Sequence, residues 1–156
     1  VVLAADVLAG KASVGKKVVV VGGGMVGTET AELIAEKGLA EKVTLIEMLP
    51  EIAADMDPMN KGYMFLSVIP RWSVEVVTNM KIEEITDKGV VAVDKERKNH
   101  NFGADTVVLA VGYTPNGDLY EALKSKVKEL YIIGDSRKPR KLWNATADGA
   151  HIARQL

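Results

Sequence analysis

Four consecutive valines, Val18 to Val21, run directly into Gly22-Gly23-Gly24, and this junction constrains the fold more than any other feature of the chain. A short uninterrupted β-branched run suits a strand buried on both faces, which implies a parallel sheet covered on each side. Good helix formers follow from Met25 to Lys37, with Val26, Leu33 and Ile34 near one stripe and Gly38 as the stop. Val43 to Ile46 gives a second apolar strand, ending in Glu47. Strand, glycine turn, helix and strand make one βαβ unit.

Further along, Ile52 to Ile69 reads as a helical crossover and Val74 to Val77 as a third strand. Lys81 to Phe102 alternates apolar and polar residues around Asp87-Lys88-Gly89, the pattern of half-exposed antiparallel strands. Thr106 to Val111 returns to the buried sheet and ends in a turn from Gly112 to Asn116. A short helix over Leu119 to Lys126, a brief strand over Leu130 to Ile133 closed by Gly134-Asp135, and a last helix from Asn144 complete the order. The expected class is α/β, a Rossmann-like doubly wound parallel sheet with an antiparallel β-meander insertion.

Composition narrows the function. A chain of 156 residues, 47% hydrophobic, buries one sizeable core. Twenty basic against 21 acidic residues leave a net charge of -1, so no global field attracts polyanions and nucleic acid is not an expected partner. The absence of cysteine excludes a disulfide, a zinc-thiolate site, an iron-sulfur cluster or a redox dithiol within the chain, and fits a reducing, cytoplasmic setting. No apolar run approaches the roughly 20 residues that span a bilayer, so no membrane association is expected. The chain starts at Val1 without a signal-peptide layout and reads as a piece of something longer.

Gly22-x-Gly24-x-x-Gly27 fits the dinucleotide fingerprint: the first glycine permits the turn, the second lets the backbone approach a pyrophosphate, and the third lets helix and strand pack closely. Amides near Met25 and Val26 would then meet phosphate at the positive end of the helix dipole. Glu47 stands 20 positions beyond Gly27, where a carboxylate accepts the ribose hydroxyls of adenosine and repels a 2'-phosphate. Met48-Leu49-Pro50-Glu51 offers no basic residue for that phosphate, which favours NAD(H) over NADP(H). An adenine nucleotide held structurally, such as ADP, fits the same residues and remains the alternative.

Other patterns carry less. Gly10 to Lys17 nearly spells a P-loop, but Lys17 occupies the magnesium-binding position and the segment precedes a strand instead of following one. Tyr120 and Lys124 have the spacing of a dehydrogenase acid pair and read better as an exposed helix face. His100 and His151 have no partner at metal spacing, so no metal site and no catalytic side chain are expected.

Taken together, the motifs resemble the two-dinucleotide-binding-domain flavoprotein reductases. Gly22-Gly-Gly-Met-Val-Gly27-Thr-Glu29 resembles their NAD(H) motif with its trailing glutamate, and Asp105-Thr-Val-Val-Leu-Ala-Val-Gly112-Tyr-Thr-Pro115-Asn116 resembles their second glycine signature. Tyr131-Ile-Ile-Gly134-Asp135 resembles the strand whose aspartate contacts the FAD ribityl chain, and Ala145-Thr-Ala-Asp-Gly149-Ala150 the helix beside the flavin. Leu3-Ala-Ala-Asp-Val-Leu-Ala-Gly10 and Gly134-Asp-Ser-Arg-Lys-Pro-Arg140 look like the C-terminal region of 2-enoate reductases, 2,4-dienoyl-CoA reductases and related NADH:flavin oxidoreductases.

That resemblance implies a parent with an upstream FMN barrel and iron-sulfur cluster, passing electrons from NADH through FAD to an activated carbon-carbon double bond. It implies cofactor contacts from Gly22, Gly23, Gly24, Met25, Val26, Gly27, Glu29, Glu47, Gly112, Gly134 and Asp135. The family also carries a separate FAD-phosphate glycine motif, and this chain has a single such motif. The expected division is a linker or FAD-domain remnant over 1–14, the NAD(H) module over 15–113, and a return segment of a split FAD domain over 114–156. The isolated chain is expected to bind NADH without turnover, with the remainder of its parent as partner. Self-association through exposed apolar patches stays open.

Overall fold

The computed structural model describes residues 1–63, 71 and 73–156. They form two units, Val1–Val111 and Gly112–Leu156.

The first unit runs β1 (Val2–Leu3), α1 (Ala4–Leu8), β2 (Lys17–Val21), α2 (Met25–Glu36), β3 (Lys42–Ile46), α3 (Pro58–Tyr63), β4 (Glu75–Val77), β5 (Lys81–Thr86), β6 (Gly89–Val93), β7 (Asn99–Gly103) and β8 (Thr106–Leu109). Five strands make a parallel sheet in the order β1-β8-β2-β3-β4, and β5-β6-β7 form a separate antiparallel sheet. Val20 of β2 sits between Leu45 of β3 and Val108 of β8.

The valine run is buried because its side chains alternate between two cores. Val18 and Val20 pack with Val43, Leu45 and Val108 against Ala4 and Val7 of α1 and Ala31 and Ile34 of α2. Val19 and Val21 pack with Ile46 and Val107 against Val90 of the meander, flanked by Ile82 and Phe102. Each such valine contributes about 1.5–3 kcal/mol of transfer free energy, so a polar residue on either face of β2 would be costly. Among the described residues, helices cover one face of the parallel sheet and the meander covers the other.

Two expectations in this unit shift. The opening stretch does more than link: β1 extends the sheet by pairing Val2 with Val108, and α1 contributes Ala4 and Val7 to the core. The crossover helix starts at Pro58, not at Ile52. Ile52 and Ala53 are buried in a turn ahead of it, with Ala53 at φ 54, and the Asp57 carboxylate accepts the amides of Met59 and Asn60 at 3.1 Å. Proline at the first helical position, preceded by an Asp cap, explains that start. The remainder of the expected crossover, from 64 to 69, lies outside the described residues.

The second unit contains α4 (Asp118–Leu123), a 3-10 turn over Gly134–Ser136, and α5 (Leu142–Ala153). The segment expected as a strand at Leu130 to Ile133 ends extended, Ile133 having φ -134 and ψ 169, but pairs with no strand among the described residues. A β-prone run needs a neighbour for its amides and carbonyls, and this unit supplies none. Gly134 is its only buried residue among those described, while Leu119, Tyr131, Ile133, Leu142 and Trp143 are exposed.

Candidate functional site

In open α/β sheets a ligand crevice forms outside the carboxyl ends of the strands, where the chain reverses its direction of travel across the sheet. Here the chain moves outward from β2 through β3 to β4 and returns on the other side as β8, so the reversal lies between β2 and β8. The glycine turn leaves β2 at that point, with the Gly22 amide donating to the Ile46 carbonyl at 2.9 Å and the Ala110 amide to the Val21 carbonyl at 2.8 Å.

The three glycines of the fingerprint are required for different reasons. Gly22 has φ +100, and a Cβ there would lie 2.6 Å from the Ala110 carbonyl oxygen. A Cβ on Gly27 would collide with the Gly22 carbonyl oxygen, so the helix could not lie so close to the turn. Gly24 differs. As the N-cap of α2 it has φ -68 and ψ -176, accessible to any residue, and its Cβ would meet only the Asp55 carboxylate, at an ordinary 3.5 Å. The protein itself does not demand glycine at 24, and the residue leaves its backbone open to a close-approaching group.

Glu47 is 8% exposed, and its carboxylate is engaged by the backbone. Its Oε2 accepts the Gly23 amide at 2.6 Å and its Oε1 accepts the Leu49 amide at 2.7 Å, tying the glycine turn to the end of β3. A carboxylate oxygen accepts more than one hydrogen bond, so both oxygens retain capacity for ribose hydroxyls. Lys61, in the last turn of α3, is a cation beyond the 48–51 segment, and it is paired with Glu51 at 2.9 Å. Buried Thr28 donates to the Gly24 carbonyl at 2.8 Å and the Gly23 carbonyl at 3.2 Å, fastening the turn from the helix side.

Met25 departs from expectation. Its amide, read as a phosphate donor, gives its hydrogen to Oδ1 of Asp55 at 2.8 Å. Asp55 arrives from the turn ahead of α3, which is anchored by the Ala53 amide on the Gly23 carbonyl at 2.6 Å. Val26 is partly buried against the helical-face core. Glu29 is exposed on α2. Burial, then the charges of Glu36 and Glu29, raise the pKa of Glu32 on the same helix.

Gly22, Gly23, Gly24, Met25, Val26, Gly27 and Glu47 are thus assembled at the β2 and β3 ends. Gly112, at φ +98, opens the second unit, which also holds Gly134 and Asp135. Gly134 has φ +60, and its amide donates to Asp148 at 3.2 Å. Asp135 accepts the Arg140 amide at 3.3 Å. The centre of this local network is Asp148, which stands within the Ala145 to Ala150 motif without being named among the expected contacts: its carboxylate also binds the Arg140 guanidinium and lies 3.8 Å from Arg137. Burial pushes the Asp148 pKa up, but the Gly134 amide and the two arginines outweigh it and leave it below 3.8. No spacing rule announces Asp148 or Asp55, since each acts on backbone amides brought near by the fold.

A family model described as pyridine nucleotide-disulphide oxidoreductase matches residues 3–149. The chain is 42% identical over 154 residues to an NADH oxidase of Thermoanaerobacter brockii, covering 97% of this chain and 23% of that protein. It is 36% identical over 172 residues to a metal reductase of Desulforamulus reducens, covering 93% and 25%. Among solved structures, a 2-naphthoyl-CoA reductase complex superposes with a TM-score of 0.85 at 34% identity, over 97% of this chain and 23% of that one. The chain therefore spans about a quarter of the length of the relatives it matches. No helix among the described residues is long and apolar enough to cross a membrane.

Proposed function

The chain belongs to the pyridine nucleotide-disulphide oxidoreductase family, and from that premise we propose that it is the NAD(H)-binding part of a larger flavin-dependent oxidoreductase. The observation that carries the reading is Gly24, a glycine with no backbone or packing need of its own at the mouth of the β2–β8 crevice. The main-chain cradle of Gly22 to Gly27 fits a pyrophosphate, and Glu47 fits the adenosine ribose. Bound NADH supplies a hydride. The chain's part is to hold the dinucleotide and set its adenine end, since it has no cysteine and hence no dithiol of its own to accept electrons.

In the parent, FAD would accept the hydride of NADH, and an iron-sulfur cluster and FMN outside this chain would relay its electrons to an activated carbon-carbon double bond. This final step rests on the resemblance of residues 3–10 and 134–140 to 2-enoate reductases. It also draws on the likeness to 2-naphthoyl-CoA reductase. The names of the other relatives, an oxidase and a metal reductase, fit a shared NADH end whose acceptor is set elsewhere in each parent. Gly112, Gly134 and Asp135 are proposed FAD-side contacts that need the rest of the parent chain to complete a site.

Titration calorimetry with NADH and NADPH tests the cofactor assignment. NADH binds more tightly, because the Glu47 carboxylate repels a 2'-phosphate and Lys61 is already engaged by Glu51. Equal or reversed affinities overturn it. ADP binding as tightly as NADH would favour a structural adenine-nucleotide site.

A further inference from the structure

The amide at the head of α2 already holds an anion. Asp55 Oδ1 accepts the Met25 N–H at 2.8 Å, and both Asp55 oxygens lie 3.5–3.6 Å from where a Cβ on Gly24 would be. That is the space the proposed pyrophosphate needs. The placement is built by the fold: Ile52 and Ala53 are buried, Ala53 takes the left-handed conformation at φ 54, and its amide is fixed to the Gly23 carbonyl. The Met56 amide then closes the turn on the Ala53 carbonyl at 3.0 Å. The turn that carries Asp55 is thus attached to the glycine loop itself.

We propose that Asp55 is a positioning residue for the cofactor site, a tethered carboxylate that caps α2 when no dinucleotide is bound and that the cofactor's phosphate must displace. The inference rests on the nucleotide-site reading above. Two anions cannot share one amide and one helix end, so each binding event includes release of the carboxylate. Without cofactor, Asp55 satisfies a helix-end amide that would otherwise rely on water. With cofactor, its charge works against the phosphate, and the apparent affinity is lowered by the fraction of molecules in which Asp55 is seated. Asparagine and serine retain an acceptor for the cap and remove the charge, so they separate electrostatic competition from loss of the helix cap.

The test titrates wild type, Asp55→Asn and Asp55→Ser with NADH, ADP and adenosine, with circular dichroism to show that each variant is folded. At an exposed site one unit of like-charge repulsion removed at about 4 Å corresponds to roughly five-fold tighter binding. Both variants should gain about that factor for NADH and ADP, and none for adenosine, which has no phosphate. A general loosening of the turn would move all three ligands together. Phosphate ligands that bind wild type but bind the variants equally or more weakly overturn the Asp55 assignment alone, as does an equal gain for adenosine. If NADH and ADP bind none of the three folded proteins, the nucleotide site itself fails and this inference falls with it.

Discussion

Replacing the three fingerprint glycines one at a time by alanine separates ligand-imposed from fold-imposed glycine. At Gly22 a methyl group forces a left-handed alanine, costing about 1–2 kcal/mol, and adds a 2.6 Å approach to the Ala110 carbonyl. At Gly27 it lands on the Gly22 carbonyl oxygen, an overpacking of about 1–3 kcal/mol. At Gly24 the backbone angles suit alanine and the neighbouring contact is 3.5 Å. The poorer N-cap propensity of alanine there offsets about 0.4–1 kcal/mol gained from restricting the unfolded chain. At roughly 2–4 °C per kcal/mol for a chain of this size, the backbone cost alone should lower the melting point of Gly22→Ala by about 2–8 °C, overpacking should lower that of Gly27→Ala by about 2–12 °C, and Gly24→Ala should stay within about 3 °C of wild type.

Binding should invert that order of concern. A methyl group at 24 separates the phosphate from the main-chain amides, and loss of a charge-assisted hydrogen bond of about 1.5–3 kcal/mol weakens NADH some ten- to a hundred-fold. The assay is thermal unfolding by circular dichroism, followed by NADH titration at a temperature where all four proteins are folded. A stable Gly24→Ala protein that binds NADH like wild type would refute the reasoning, because the second glycine would then have neither a structural nor a ligand role.

Glu47→Ala should lose about 2 kcal/mol or more of stability, since it strands the Gly23 and Leu49 amides; Glu47→Gln should lose less while still narrowing the NADH over NADPH preference. Denaturant titration beside calorimetry separates the two effects, and unchanged stability in Glu47→Ala would contradict the bridging role. The purified chain should keep no FAD after incubation and desalting and show no NADH oxidation with a dye acceptor, because the Gly134 amide is bound to Asp148 and one glycine cradle is present; a stoichiometric yellow protein with turnover would reassign that cradle to FAD. Because the folded-state pKa of Asp148 is depressed, its contribution to the order of the Gly134–Ser136 turn is complete above about pH 5 and is lost as pH falls below 3.8. The protection of the Gly134 amide, its exchange rate relative to the intrinsic rate at each pH, should therefore fall on acidification in wild type and already be low at neutral pH in Asp148→Ala, and protection that does not change with pH would exclude the anchor.

The valine run, the glycine spacing and the position of Glu47 were enough to place β2, α2, β3 and the glycine turn between β2 and α2, because each signal is local: side-chain alternation, φ freedom and the length of one βαβ unit. The alternating Lys81 to Phe102 stretch likewise announced antiparallel strands. What the pattern lacked was anything dependent on distant neighbours. Val2 and Leu3 form a strand because β8 offers an open edge, while Leu130 to Ile133, richer in strand formers, has no partner in its unit. Tertiary structure alone showed that Gly22 and Gly27 serve the fold and Gly24 does not, since that distinction depends on the carbonyl oxygens each Cβ would strike. It alone placed Glu47 on two backbone amides and Asp55 on the helix end, because a carboxylate's partner is fixed by where folding carries other parts of the backbone.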